Sequence, residues 1–312
     1  MRARREIKTL AKAAMREQRG TAILLALVYT VVTWILMTPS TVMMWNAGPM
    51  GPGGLYWLVL GVGMLLVSIL GINLYGEYVK LYQRQKACVG KLFSGFGVNF
   101  GRKLGGALWQ FLWLWLWGLI AAPVIFIGLV FVGVAAWTTG AVEGPVVLFI
   151  IMMLAAFIPM IIRALAYSQM YYILANHPEV QATAALRLSK RMTQGHKGKV
   201  FVMGLSFIGW ILLMAVPAVI LRVISEFVPS TALMILTILV AVIAYIPFLW
   251  PYMYTSFAGL FIELRDNAIA EGTIMREELG MVEQEEEQVI EPNRYRADGE
   301  GYGSGLGVGM ED

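Results

Sequence analysis

The chain has 312 residues, 58% of them hydrophobic and 14% charged, with a mean hydropathy of +0.68. A soluble domain carries nearer to ~25% charge, so this composition excludes an ordinary water-soluble domain and points to a chain that crosses a membrane several times. The net charge of +4 hides a division: residues 263–312 hold fourteen acids against Arg265, Arg276, Arg294 and Arg296, a net of −10, which leaves +14 on the rest.

Residues 2–19 read as a basic amphipathic helix. Ile7, Leu10, Ala11 and Ala14 fall at i, i+3, i+4 and i+7, while Lys8, Lys12 and Arg16 occupy a neighbouring face. Such a helix lies in a membrane interface. The apolar run from Thr21 towards Pro39 is an uncleaved first span, since it is long for the core of a signal peptide. Residues 55–79 form the second, long enough for the ~20 residues a crossing helix needs. The third run, residues 104–137, exceeds one span, and Pro123 is expected to kink it. The fourth, residues 145–175, contains Pro159 and Arg163. Asn176-His177-Pro178-Glu179 has the cap, proline and acid of a helix start, and a second interfacial helix is expected from there to about Thr193. The fifth span covers residues 200–221, with Pro217 disturbing its outer end. The sixth covers residues 232–262 and is broken by Pro247 and Pro251.

Lys and Arg set the orientation. The three expected inner segments hold seven, six and five of them, and the outer loops hold only Arg222, which places both termini on the cytoplasmic side. The expectation is an all-α bundle of six transmembrane helices in three hairpin units. Residues 1–19 form the amphipathic helix, residues 20–266 the membrane domain, and residues 267–312 an acidic, Gly-rich, largely disordered tail. Internal spacing supports three units. Gly195 precedes Pro217 by 22 residues, Gly101 precedes Pro123 by 22, and Gly20 to Pro39 is a shorter match. The returning helices also carry paired aromatics: Tyr75 and Tyr78, Tyr171 and Tyr172, Phe257 and Phe261.

Candidate site residues are few. Arg163 lies within a span, where a charge costs roughly 2.5–3.5 kcal/mol at the bilayer centre and faces a partner. Glu77 and Glu263 occupy the inner ends of the second and sixth spans, and the three are expected to meet, as a polar site for a head group or ion or as a structural ion pair. Trp109, Trp113 and Trp117 share one helical face with Trp115 elsewhere, either as an aromatic groove or as plain packing. Lys8, Lys12, Arg16, Arg187, Lys190, Arg191, Lys197 and Lys199 make an expected surface for anionic lipid, each worth about 1 kcal/mol near an acidic leaflet. His177 and His196 have no second ligand at metal spacing, and no nucleophile–base pattern is present. The expectation is therefore no catalytic residue, no metal and no cofactor. The expected partners are the bilayer, anionic lipid head groups and a membrane protein or second copy, with no nucleic acid.

The segment from Ala185 to Trp210, with Leu188-Ser189-Lys190, Gly195-His196-Lys197-Gly198-Lys199 and Leu205-Ser206-Phe207-Ile208-Gly209-Trp210, resembles the signature region of a bacterial membrane family, domain-of-unknown-function family 975. Glu6-Ile7-Lys8 with Ala11-Lys12 is similar to its start, and Pro251-Tyr252 leading to Phe261-Ile262-Glu263-Leu264 to its last span, where a tyrosine is more usual than Phe261. The resemblance covers residues 1 to about 267. It implies six spans in a bacterial, mostly Gram-positive, cytoplasmic membrane and supplies no catalytic residues. The functional expectation is a non-enzymatic scaffold or accessory protein, in envelope homeostasis or immunity to membrane-active peptides. A transporter component with a polar site near Arg163 is the alternative, and a membrane enzyme comes last.

Overall fold

The computed structural model describes residues 2–48, 51–97, 99–140, 143–227, 230–244 and 249–281. Among them all regular structure is helical. Helix α1 (Arg4–Glu17) is followed by α2 (Arg19–Trp45) and α3 (Gly54–Tyr82), then a 3-10 segment over Val89–Phe96. Helices α4 (Phe100–Gly118) and α5 (Ala121–Thr139) share one apolar run, as do α6 (Glu143–Tyr167) and the short α7 (Met170–Asn176). Helix α8 (Ala182–Met192) leads into α9 (Lys197–Phe227), α10 (Thr231–Ala244) and α11 (Trp250–Ala270).

Among the described residues five helical stretches are long and apolar enough to cross a membrane: Arg19–Trp45, Gly54–Tyr82, Phe100–Thr139, Glu143–Asn176 and Lys197–Leu221. Many of their apolar side chains stay outside the protein core. Ile151 and Leu154 on α6 and Leu212 and Leu213 on α9 are exposed, which is costly in water and natural in hydrocarbon. The expected sixth region is represented by α10 and α11, on either side of residues 245–248, which lie outside the described residues. Helix α11 is the most enclosed of the long helices, with Ser256, Ala258, Leu260, Phe261 and Leu264 buried.

Proline acts differently from expectation at two places. Helices α2 and α9 run through Pro39 and Pro217 instead of ending near them. Around Pro39 the hydroxyls of Thr38, Ser40 and Thr41 donate to the carbonyls of Trp34 and Met37 at 2.7–3.0 Å, the side-chain support that lets proline persist in apolar helices. Pro123 behaves as expected. It clashes with the carbonyl four residues back, and the chain breaks at Leu119–Ile120.

One end of the bundle carries most of the buried core. There the aromatic residues of the returning helices converge. Tyr75 stacks on Tyr172 at 4.8 Å and Tyr172 on Phe261 at 5.2 Å, with Tyr254 beside Tyr78 at 5.2 Å. Helix α1 packs Ile7, Ala11 and Ala14 onto α11 and α3. Its apolar face is thus packed against protein. The same holds for α8, whose Ala185, Leu186, Leu188 and Met192 are buried.

The expected helix start at Asn176 is a helix end. Asn176 Nδ2 donates back to Tyr172 O at 2.8 Å, and α8 begins only at Ala182. Helix α11 stops at Ala270, and residues 271–281 fold back as a clasp with Ile274 and Leu279 buried. The clasp is held by Arg191, which donates to the Thr273 carbonyl and pairs with Glu278 Oε1 at 2.6 Å. His177 Nδ1 lies 3.0 Å from Leu279 O. Residues 282–312 are outside the described residues.

A carbonyl only accepts, so His177 must carry its proton on Nδ1. Its Nε2 is buried without a partner among the described residues. Burial first, and then the positive charges of Arg265 and Arg102, push its pKa down to about 4. The depressed value means the folded state favours neutral imidazole. That stability is complete above the ordinary value near ~6.5 and is lost as pH falls from there towards about 4. Taking the protein from pH 7 to pH 5 should weaken the clasp by about 1–2 kcal/mol, read as faster amide exchange over residues 273–281. His177→Gln should flatten that dependence, and an equally steep response in the variant would show that another group titrates.

Candidate functional site

The site forms where α8 folds across α4 and α6. Gly106 of α4 lets α7 come close, since a Cβ there would sit 2.4 Å from Leu174 Cδ1, while Gly105 faces Ala182 of α8 at ordinary contact distance, 4.0 Å from its Cβ. Ser189 of α8, fully buried, bridges the break between α6 and α7. Its hydroxyl donates to Ala166 O at 2.8 Å and accepts the Gln169 N–H at 3.1 Å. Two backbone groups that the break leaves open are thereby satisfied, and α8 is fixed against α6.

The result is a groove of about 470 Å³ between α4, α6 and α8. Trp109, Trp113 and Trp117 form one wall, Tyr167 and Leu186 another, and Arg163, Arg187 and Lys190 supply positive charge. The three tryptophans recur every fourth residue and so share one helical face, about 12 Å long at 1.5 Å per residue. Trp109 and Trp113 meet edge to face at 5.9 Å. Trp115, on another face, is 54% exposed. The Arg163 guanidinium lies over the Trp117 ring, 4.2 Å from its centroid. No carboxylate among the described residues pairs with Arg163. The indole N–H of Trp117 is buried and has no hydrogen-bond partner among the described residues. An aromatic trough with three cations and a spare donor suits an amphiphile with an anionic head and an apolar body.

The expected meeting of Arg163, Glu77 and Glu263 does not form, because each carboxylate has a nearer partner. Glu77 accepts from Lys80 Nζ at 2.6 Å and from the Cys88 backbone N–H at 2.8 Å, which pins the loop after α3. Glu263 accepts the Arg2 backbone N–H at 2.9 Å, with the Arg2 guanidinium 3.4 Å away. Both are structural ties at the basic end of the bundle, while Arg163 belongs to the groove.

The expected anionic-lipid residues divide in the same way. Arg187 and Lys190 line the groove, and Lys12 and Arg16 are exposed on α1. Lys8 bends over the Phe207 ring, 3.9 Å from its centroid, and reaches Ser206 O at 3.5 Å. Lys197 begins α9, and Lys199 lies with Arg4 and Arg5 beside another hollow at the start of α1. Arg191 is spent on the clasp.

Two organising residues escaped the sequence reading. Arg102 donates to the carbonyls of Leu174, Val180 and His177 at 2.6, 2.8 and 3.2 Å, closing the end of α7. Asn73, buried in α3, accepts from Lys103 and donates to Leu92 O at 2.7 Å. That contact needs Gly95, where a Cβ would sit 2.2 Å from Asn73 Nδ2. The available signals were an arginine at the foot of a span and an asparagine inside one.

Fold and site together define an α-helical integral membrane protein with an aromatic, cationic groove at the basic end of its bundle. The chain belongs to the family described as "protein of unknown function (DUF975)", whose pattern matches residues 1–268. No curated protein and no solved structure matches it.

Proposed function

We propose that this protein is a non-enzymatic component of a bacterial cytoplasmic membrane that holds an anionic amphiphile, in the first instance an acidic phospholipid, in the groove between α4, α6 and α8. In this reading it crosses the membrane six times, with α10 and α11 making the last crossing and both termini cytoplasmic. It serves as a scaffold or accessory protein, in envelope homeostasis or protection from membrane-active peptides, with a membrane protein or a second copy as partner. The observation that carries the reading is Arg163, stacked on Trp117 and free of a carboxylate partner among the described residues, in the same cavity as Arg187 and Lys190. A charge kept at membrane depth without a counterion is expensive, and an anionic ligand removes that cost. The large excess of Lys and Arg on the inner segments supports the orientation.

The test is thermal unfolding of the detergent-purified protein with added short-chain phosphatidylglycerol or phosphatidylcholine. The acidic lipid should raise Tm more than the neutral one, because a ligand that binds only the folded state stabilises it. Arg187→Ala with Lys190→Ala should shrink the difference. Equal shifts with both lipids would contradict the reading. A transporter component is the second reading, favoured by the reach of the cavity to Arg163. It predicts that the bound lipid head group crosses between leaflets of a proteoliposome, which a scaffold does not require.

A further inference from the structure

We propose that a second cavity, between α2, α3 and α4, is a binding site for an uncharged lipid that carries a free hydroxyl, of the diacylglycerol type. This site is separate from the groove and its occupant is independent of the groove's.

The cavity measures about 430 Å³, within the roughly 300–1,000 Å³ usual for small-molecule sites. Its walls are apolar, with Met37 from α2, Met64 and Leu65 from α3, and Phe111 and Leu114 from α4. No acidic or basic side chain lines it, so nothing there compensates a charged head group. Three of the wall residues, Met64, Leu108 and Phe111, are 48%, 45% and 59% exposed on the outside of the bundle, so the mouth opens sideways, towards lipid chains and not towards water. All three helices are among those long and apolar enough to cross the membrane. A ligand therefore arrives from the bilayer.

The polar features select the hydroxyl. Gln110 lies about ten residues into α4, about 15 Å from its start at the helical rise. Its side-chain carbonyl oxygen is buried and has no hydrogen-bond partner among the described residues. An acceptor without a donor is costly at this depth, where water does not supply one. A lipid whose only polar hydrogen is a hydroxyl supplies that donor. Ser68 and Tyr171 line the same cavity, but the Ser68 hydroxyl proton goes to Met64 O at 2.8 Å and its oxygen is hydrogen-bonded to the Tyr171 side chain, so the acceptor for the lipid hydroxyl is Gln110. A phospholipid has no such hydroxyl beside its chains and brings a charge that this cavity does not meet. The groove around Arg163 has the opposite character, with three cations and no buried unpartnered acceptor among its described lining residues.

The experiment uses the full chain in phosphatidylcholine nanodiscs, labelled with a photoactivatable diacylglycerol or with a photoactivatable phosphatidylcholine bearing the same acyl chains. Cross-links are mapped by mass spectrometry. Wild-type protein should be labelled by the diacylglycerol probe on the α3 and α4 segments that line the cavity, well above the phosphatidylcholine probe. Gln110→Leu keeps the bulk and removes the acceptor, and should lower that labelling about fivefold, the loss of one hydrogen bond. Gly61→Phe should abolish it by filling the space, since a side chain there starts with nothing within 4 Å. Should Gly61→Phe fail to fold, Gln110→Leu decides alone. Wild-type labelling in Gln110→Leu, or equal labelling by the two probes, overturns the proposal, the latter because the cavity would then hold any acyl chain.

Discussion

Arg163→Ala should weaken binding of an acidic phospholipid by at least about 30-fold. Two losses add. A charge-assisted hydrogen bond to a head group is worth about 1.5–3 kcal/mol, and the guanidinium also helps to order the aromatic wall through its contact with Trp117 at 4.2 Å, worth about 0.5–2 kcal/mol where water is excluded. The fold should survive, since the side chain has no carboxylate partner among the described residues whose charge would be stranded. Arg163→Lys should fall between the two, because it keeps the charge and loses the planar stacking. Arg191→Ala is the informative control. It lies on the same helix as Arg187 and Lys190 but is bound to the clasp, so it should open residues 271–281 and leave lipid affinity near wild type. The measurement is a titration of fluorescent phosphatidylglycerol at two salt concentrations. Unchanged affinity in Arg163→Ala would remove the residue from the site.

Gly259→Leu should be the most destabilising single change at the basic end. A Cβ at this position would lie 2.4 and 2.6 Å from Cε2 and Cζ of the Tyr82 ring and 2.9 Å from Cγ2 of Ile7. Gly259 is the point where α11 receives both α1 and the end of α3. Neither neighbour yields cheaply: Ile7 is β-branched and 2% exposed, and the ring is wedged between helices. Overpacking of this kind costs typically 1–3 kcal/mol and more when backbone must move, here about 3 kcal/mol or above. The expected phenotype is specific. Helix α1 undocks, Tm falls, and trypsin gains access to the arginines between Arg2 and Arg16. Gly209→Ala, where a Cβ meets nothing within 4 Å, should be nearly silent. If α1 stays protected in Gly259→Leu, its packing on α11 is looser than described.

The parts of this molecule that depend on local composition were legible in the sequence. Apolar length located the five crossing stretches, and Pro123 located the break between α4 and α5 because a proline acts on its own turn. The tryptophan face and Arg163 were each visible, since periodicity and a lone intramembrane charge are local properties. Their union with Arg187 and Lys190 was not visible. It depends on α8 packing on α4, some eighty residues earlier in the chain, and on the Ser189 bridge to the break between α6 and α7. The expected cluster of Arg163, Glu77 and Glu263 failed for the same reason: position along a span does not say which way a side chain turns, and Lys80 and Arg2 were closer. Pro39 and Pro217 show that hydroxyl support or an apolar setting lets a helix continue. Residues 271–281 show that an acidic stretch with two well-placed apolar residues, Ile274 and Leu279, can be folded. The burial of the α1 stripe by α11 and α3 is likewise a fact of tertiary packing that no stripe announces.

The most direct test of the groove is native mass spectrometry of the protein carried from its own membrane into nanodiscs. The wild type should retain one acidic lipid through mild activation, Arg163→Ala should lose it, and Arg191→Ala should keep it. A wild type that retains no lipid, or one that holds neutral and acidic lipids equally and is indifferent to Arg163, would contradict the assignment of the groove between α4, α6 and α8 as an anionic-amphiphile site.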